Sequence, residues 1–342
     1  MKTVARKKGR KPETYAVVMA GGNGERFWPL STPAKPKQFL TLFGGKPLIR
    51  HAVDRLAGLI PPERVLVVTA DRFVRLTREA LPVLPKGNVI GEPCRRNTAA
   101  AVAVACREVR LRAGEDAVVC VLTADQLIRP AAAFRKTLRQ AIAVAASEDS
   151  IVTIGIEPTY PATGFGYIEW TAERPRFVEK PDAATAEEYV KSGRFCWNSG
   201  MFIFRERVME AAIRREAPAV AALFDAADVR AAYPGLPSIS IDYAVMEKAD
   251  NIRVVRSAFE WDDVGSYMAL GNHFPADEAG NVRLGRTAAI DTRNSVVVSD
   301  KSHVIAVFGM DDVVVVHTSG ATLVCPKSRL GDMRKVTTVL GL

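Results

Sequence analysis

Between Ala20 and Lys37 the chain crowds small residues and fixed positive charge together. Ala20, Gly21, Gly22 and Gly24 let successive backbone N–H groups converge on an anion with no Cβ in the way, while Arg26 and Lys37 supply two cations. Pro29, Pro33 and Pro36 stiffen the stretch between them. The chemistry such a loop can do is phosphate binding. It is not a dinucleotide fingerprint, because Phe27 stands where G-x-G-x-x-G needs a third small residue. Nor is it a P-loop, since no Gly-Lys pair follows at the required distance. A tight turn with solvated charges is the plainer reading of the same residues.

Carboxylates recur at similar places. Asp125 closes the apolar run before it, where a lone carboxylate is poorly solvated unless it pairs or binds a metal; a turn or helix N-cap is the alternative. Asp262 and Asp263 precede Gly265 and Ser266, and either can cap the helix that follows. Glu179 and Lys180 stand side by side at a strand end before Pro181, where a surface ion pair is the commoner arrangement. Asn97, just after Glu92 and Pro93, can cap a helix, contact a nucleotide, or do both. The four histidines are scattered along the chain, which argues against a zinc site.

These residues need a scaffold, and the hydrophobic periodicity supplies one. Strands are predicted at 15–19, 65–69, 88–91, 117–122 and 151–156, and helices at 47–56, 71–81, 98–113 and 131–146. Their alternation predicts an α/β fold with a doubly wound, mostly parallel sheet, whose ligand crevice lies outside the carboxyl ends of the strands. From about residue 160 the pattern turns to hairpin-like pieces (GFGYIEW, RFVEKP, NSGMFIF) with a helix over 183–191. Residues 205–232 and 241–249 read as helical, and from about 280 short strands punctuated by Gly and Asp predict a small β domain. The expected division is a basic disordered tail over 1–13, a catalytic domain over 14–275 and a C-terminal β domain over 280–342.

GGNGERFWPLS followed by PKQFL, with FVEKP, WNSGMF and DVGS in the same order, resembles the nucleotide-diphospho-sugar pyrophosphorylases, most of all those that carry guanylyl groups to mannose 1-phosphate. The resemblance runs from about Tyr15 to the end of the chain and implies a Rossmann-like nucleotidyltransferase with a tail resembling a β-helix. It implies GTP and mannose 1-phosphate as substrates, Mg2+ as the metal, and Arg26, Lys37 and Lys180 as the cations acting on phosphates. It selects Asp263 over Asp262, so that Asp125 and Asp263 are the implied metal ligands. Ala20, Gly21, Gly22, Gly24, Glu92, Asn97 and Thr98 fall on its nucleotide segments; Glu92 or a backbone carbonyl is the implied reader of the guanine donors. Gly164, Tyr167, Glu179 and Asn198 fall on its sugar segments. Two positions depart from the family: Gln126 stands where histidine is usual and Tyr267 where tryptophan is. Bifunctional members carry a further isomerase domain, for which 342 residues are expected to be too few.

Composition sets outer limits. With 48% hydrophobic and 25% charged residues the chain can bury a core. The net charge of +9 hints at nucleic acid, but six Lys and Arg lie in the first eleven residues, which leaves +3 for the rest. Nucleic acid is therefore not an expected partner. The five cysteines are odd in number and form no C-x-x-C pair, which suits reduced thiols. No apolar run approaches membrane-spanning length, so a soluble cytoplasmic protein with no membrane partner is expected, and a homodimer is left open.

Overall fold

The computed structural model describes residues 12–22, 24–171, 174–300 and 303–342. The basic N-terminal run lies outside the described residues. The chain forms two compact units. The first holds the chain up to Gly21 with Val53–Thr123 and Arg129–Glu260; the second holds Gly22–Ala52, Ala124–Ile128 and Trp261–Leu342.

The first unit is built on a sheet that has nine strands among the described residues. In chain order these are β1 (Thr14–Ala20), β2 (Val65–Ala70), β3 (Val89–Glu92), β4 (Val118–Thr123), β5 (Ile151–Ile156), β6 (Tyr167–Glu169), β7 (Arg176–Val178), β8 (Phe195–Arg205) and β9 (Ile252–Arg256). The spatial order along the main path is β9-β5-β8-β4-β1-β2-β3, with β6 joined to β7 and β8. The pairs β1–β2, β1–β4, β2–β3 and β9–β5 are parallel, whereas β8 runs antiparallel to both β4 and β5. Ala16, Val17, Val18, Val118, Val119 and Cys120 are wholly buried, as a strand covered on both faces requires.

The helix Asn97–Ala113 buries an unbroken run from Ala99 to Cys106. A face of alanine lets its backbone approach its neighbours closely. Residues 205–232 are helical, in three pieces: Glu206–Glu216, Pro218–Asp225 and Val229–Ala232. Pro218 starts the second of them at a position where its missing N–H costs nothing. The expected helix over 241–249 is instead a short π-helix, Asp242–Met246. Glu206 is fully buried beside Glu210, to which Arg110 and Arg214 are paired.

The second unit carries the C-terminal strands β10 (Val282–Leu284), β11 (Arg286–Ile290), β12 (Val296–Ser299), β13 (Val304–Phe308), β14 (Val313–Thr318) and β15 (Ala321–Pro326). Strands from successive turns of chain stack in parallel, β10–β12–β14 in one sheet and β11–β13 in another, while β15 closes the first as an antiparallel edge. That is the stacking of a β-helix. A closing helix, Met333–Val339, was not legible in the pattern of short strands. Met333, Leu330, Val298, Val314 and Val316 share one hydrophobic cluster with Phe27, Trp28, Leu40 and Tyr267, so the loop after β1 is anchored on this unit's core. Among the described residues no helix is long and apolar enough to cross a membrane.

Candidate active site

The loop after β1 is shaped by one close approach. Gly24 takes φ 65°, and a side chain there would bring its Cβ to 2.3 Å from Lys37 Cβ and 2.8 Å from Lys37 N. Only glycine meets both demands. Gly21 and Gly22, by contrast, do not take positive φ, so their use to the loop is the absence of a Cβ and not a left-handed angle. Ser31 Oγ donates to the Gly24 carbonyl at 2.5 Å and holds the turn. Arg26 lies in the 3-10 turn Glu25–Phe27, whose Phe27 is fully buried. The Tyr267 hydroxyl donates to the carbonyls of Phe27 at 2.8 Å and Trp28 at 3.1 Å. The residue that departs from the family's usual tryptophan thus ties the Asp263 segment to the loop after β1.

Lys37 is 6% exposed, and its Nζ lies 2.9 Å from Asp125 Oδ2 and 2.5 Å from the main-chain oxygen of Asp263. Three points far apart in sequence meet at one ammonium. Asp125 follows β4 by two residues, and the short strands Leu127–Arg129 and Glu260–Asp262 pair with each other directly beside the two aspartates. Asp263 follows immediately, before Val264 with φ 49°, an uncommon angle for a β-branched residue and a sign of a constrained turn. Burial raises the Asp263 carboxyl above its ordinary range; Lys37 and Arg26 favour its ionised form, while Asp125 and Asp262 oppose it.

Asp262 has a different task. Its Oδ1 accepts from Val264 N at 2.6 Å, and its Oδ2 accepts from Asn272 Nδ2 at 2.8 Å with His273 Nε2 at 2.9 Å. The helical turn Tyr267–Asn272 is capped by Ser266 Oγ, so neither aspartate is its cap. Two carboxylates that repel each other beside two cations, one of them buried, are a hard-oxygen donor set that a divalent cation relieves, and Asp125 with Asp263 fit such an ion.

The sugar-segment residues lie in the first unit. Glu179, 10% exposed, pairs with Lys180, whose φ of 45° marks a forced turn before Pro181. Burial lowers the Lys180 pKa, but the hydrogen bond and charge of Glu179, joined by Tyr243 and Asp242, raise it overall. Asn198 is held on several sides: Nδ2 donates to Asp242 Oδ1 at 3.1 Å, Oδ1 accepts from Gly200 N at 3.1 Å, and its own N–H reaches the Gly166 carbonyl at 2.8 Å. Burial, and then the charge of Glu179, push the Asp242 carboxyl up to about 6.

Tyr167 is fully buried and its ring packs against Tyr189, with centroids 5.5 Å apart, while its hydroxyl has no hydrogen-bond partner among the described residues. Gly164 has no atom within 4 Å of where a Cβ would stand, so a role there falls to its backbone. Gly166 is the position with a demand: a Cβ would lie 2.6 Å from Glu179 Oε2. Asp242 was also missed, since within IDYAVMEK it reads as one more helical polar residue. The signal for it is the π-helical turn it opens, a form that concentrates at functional sites.

On the nucleotide side, Glu92 Oε2 would lie 3.5 Å from a Cβ at Gly21, and Glu92 Oε1 accepts from the Tyr233 hydroxyl. Burial raises the Glu92 pKa against that hydrogen bond. Asn97, at φ 62°, accepts the Thr98 N–H on Oδ1 at 2.8 Å, and Thr98 Oγ1 accepts from Ile241 N at 2.8 Å, so both side chains serve the local fold. The Ala20 carbonyl accepts from Thr69 Oγ1 at 3.0 Å. Ala20, Gly21, Glu92, Asn97, Thr98, Gly164, Tyr167, Glu179, Lys180 and Asn198 thus belong to the first unit, and Gly22, Gly24, Arg26, Lys37, Asp125 and Asp263 to the second.

A lysine buried against the Asp125 carboxylate and the Asp263 main-chain oxygen, near a glycine loop that follows the first strand of an α/β sheet, is suited to binding phosphate groups. A family model described as nucleotidyl transferase matches residues 15–280, and one described as the MannoseP isomerase/GMP-like beta-helix domain matches 285–340. The chain belongs to the nucleotidyl transferase family. A mannose-1-phosphate guanylyltransferase of Sinorhizobium fredii (strain NBRC 101917 / NGR234) is 40% identical over 92% of this chain, which spans 65% of that relative's length. A Klebsiella pneumoniae protein of the same name is 38% identical over 95% of this chain and 73% of its own. A crystal structure of a mannose-1-phosphate geranyltransferase from Thermus thermophilus matches with TM-score 0.89 and 38% identity, over 96% of this chain and 100% of that one.

Proposed function

We propose that the protein transfers the guanylyl group of GTP to mannose 1-phosphate, giving GDP-mannose and pyrophosphate. The observation that carries this reading is the meeting of Lys37, Asp125 and Asp263 within a chain 36–40% identical, along almost its full length, to relatives named for that reaction. The sugar phosphate attacks the α-phosphorus in line and pyrophosphate leaves, so the protein must offset anionic charge and needs no covalent nucleophile. Arg26 and Lys37 neutralise the triphosphate, and the backbone N–H groups of Gly21, Gly22 and Gly24 cradle it. Lys180 holds the sugar phosphate; Glu179, Asn198 and Asp242 hold sugar hydroxyls. Glu92, fixed by Tyr233, faces the base. Mg2+, held by Asp125 and Asp263, supplies Lewis-acid charge to phosphate oxygens when bound.

The same reading keeps the catalytic domain at 14–275 and the β domain at 280–342, and places the reaction in the cytoplasm with neither nucleic acid nor membrane as partner. A homodimer is compatible with it. The test is a panel: each nucleoside triphosphate against mannose, glucose and other sugar 1-phosphates with Mg2+, ranked by pyrophosphate release. The expected best pair is GTP with mannose 1-phosphate; a clear preference for UTP, dTTP or a glucose phosphate overturns the assignment.

A further inference from the structure

The scattered histidines do not stay scattered. His51 Nε2 lies 2.7 Å from the Phe43 carbonyl and His273 is paired with Asp262, which gives each a local structural task. His303 and His317, fourteen residues apart in sequence, have ring centroids 4.3 Å apart. The β-helical stacking causes this. Strand β12 pairs in parallel with β14 so that Ser299 stands opposite His317, and Asp300 N donates to the His317 carbonyl at 3.2 Å. Asp300 and His303 are held by Ser299 Oγ, 2.9 Å from the Asp300 carbonyl and 2.8 Å from that of His303. His303 Nδ1 then lies 3.6 Å from Asp300 Oδ1.

We propose that Asp300, His303 and His317 form a binding site for a divalent transition-metal ion, zinc by the nature of its donors. One ligating atom from each residue lies within 4.8 Å of the others. Tetrahedral zinc with bonds of about 2.0–2.1 Å to nitrogen and oxygen sets neighbouring ligands roughly 3.3 Å apart, so small side-chain rotations gather the three. Two imidazoles and a carboxylate are a zinc-type set that leaves a fourth position for water, and the nitrogen donors disfavour magnesium.

The third ligand is already prepared. His317 Nδ1 lies 2.8 Å from Thr322 Oγ1, its register partner on β15. When Nδ1–H donates to that hydroxyl, Nε2 carries the lone pair, which is the usual way an outer contact readies a metal-binding histidine. His317 Nε2 is buried and has no hydrogen-bond partner among the described residues. An ion there would fasten Asp300 and His303 to β14, a structural task separate from nucleotidyl transfer.

The test uses the full chain without an affinity tag, freed of metal by chelator and then titrated with Co2+ and Zn2+. The expected result is one Co2+ bound with the visible absorption of an imidazole-ligated tetrahedral ion and no thiolate charge-transfer band, distinct from the weak absorption of any oxygen-ligated ion held at Asp125 and Asp263. Zn2+ should raise the melting temperature by a few degrees. His317→Gln and His303→Gln should each weaken binding about tenfold or more and remove the Zn2+-dependent shift. Asp125→Asn should keep both signals. The His303 side chain is 58% exposed, so its replacement should leave metal-free melting unchanged, and a lost signal in that variant reports ligation and not unfolding. Binding that survives both histidine changes, that shows a thiolate band, or that disappears in Asp125→Asn overturns the proposal.

Discussion

Lys37 Nζ lies 2.9 Å from Asp125 Oδ2, and the same ammonium reaches the backbone of Asp263, so one buried cation fixes both ends of the acidic pair. Lys37→Met preserves the stem and removes the charge. Turnover should fall by about 10²-fold or more, the scale seen when one preorganised charge-stabilising donor is lost. The stability loss should stay near 1–2 kcal/mol, because Asp125 is partly solvated. Steady-state kinetics beside a denaturant melt separates the two; a lysine that serves the fold alone would reverse the ranking.

Adjacent aspartates should give opposite phenotypes. Asp263→Asn removes a carboxylate that burial already disfavours, so activity should collapse while melting temperature holds or rises. Asp262→Asn disturbs the acceptor of Val264, Asn272 and His273, and should cost about 1–3 kcal/mol of stability. If Asp263→Asn keeps near-normal turnover with an unchanged Mg2+ requirement, the metal assignment fails.

Gly166→Ala should separate sugar binding from folding. The added methyl meets Glu179 Oε2 at 2.6 Å, the far end of a side chain that can swing away. The KM for the sugar phosphate should rise about tenfold or more, as expected when a charge-assisted contact is misplaced, with the KM for GTP unchanged. Equal rises in both would show that the change spreads beyond Glu179.

Tyr267→Phe deletes the hydroxyl that bonds the Phe27 and Trp28 carbonyls. A cost of about 1 kcal/mol in stability is expected. A fall in kcat larger than that loss explains is expected too, since Arg26 precedes Phe27 directly. Wild-type kcat with lowered stability would confine the hydroxyl to packing.

Glu206 gives the pH signature. Burial first, and then the charge of Glu210, push its carboxyl up to about 8 from 4.5. The native state keeps a proton that the unfolded chain releases, so the stability it lends is fully present below pH 4.5 and is lost as pH climbs to about 8. Glu206→Gln should therefore outlast the parent at pH 8.5 by roughly 4–5 kcal/mol and match it near pH 4.5. Parallel urea curves for the two proteins at both pH values would assign the dependence elsewhere.

The parallel strands and the long helices were legible because their residues obey one period and are buried on matching faces, as Val17, Val119 and the run from Ala99 to Cys106 show. The choice between Asp262 and Asp263 was legible only through family resemblance. In the structure Asp262 is engaged by three hydrogen bonds, two of them from residues ten and eleven positions away, which supports the proposed use of Asp263. Asp242, Gly166 and the His303–His317 pair were hidden for a related reason. Each takes its meaning from a neighbour brought close by sheet register or a turn, and periodicity carries no information about which side chains meet across strands.

The second unit draws Gly22–Ala52 together with Trp261–Leu342, and its core joins Phe27 and Trp28 to Leu330 and Met333. During synthesis the loop after β1 therefore leaves the ribosome about 240 residues before its main packing partners. At roughly 5–20 residues per second it waits on the order of 10–50 seconds, long enough for the first unit's strands to pair without it. Catalytic competence is then one of the last properties the nascent chain acquires, and a break in translation within the β domain would release a product with an assembled sheet and an unsupported loop.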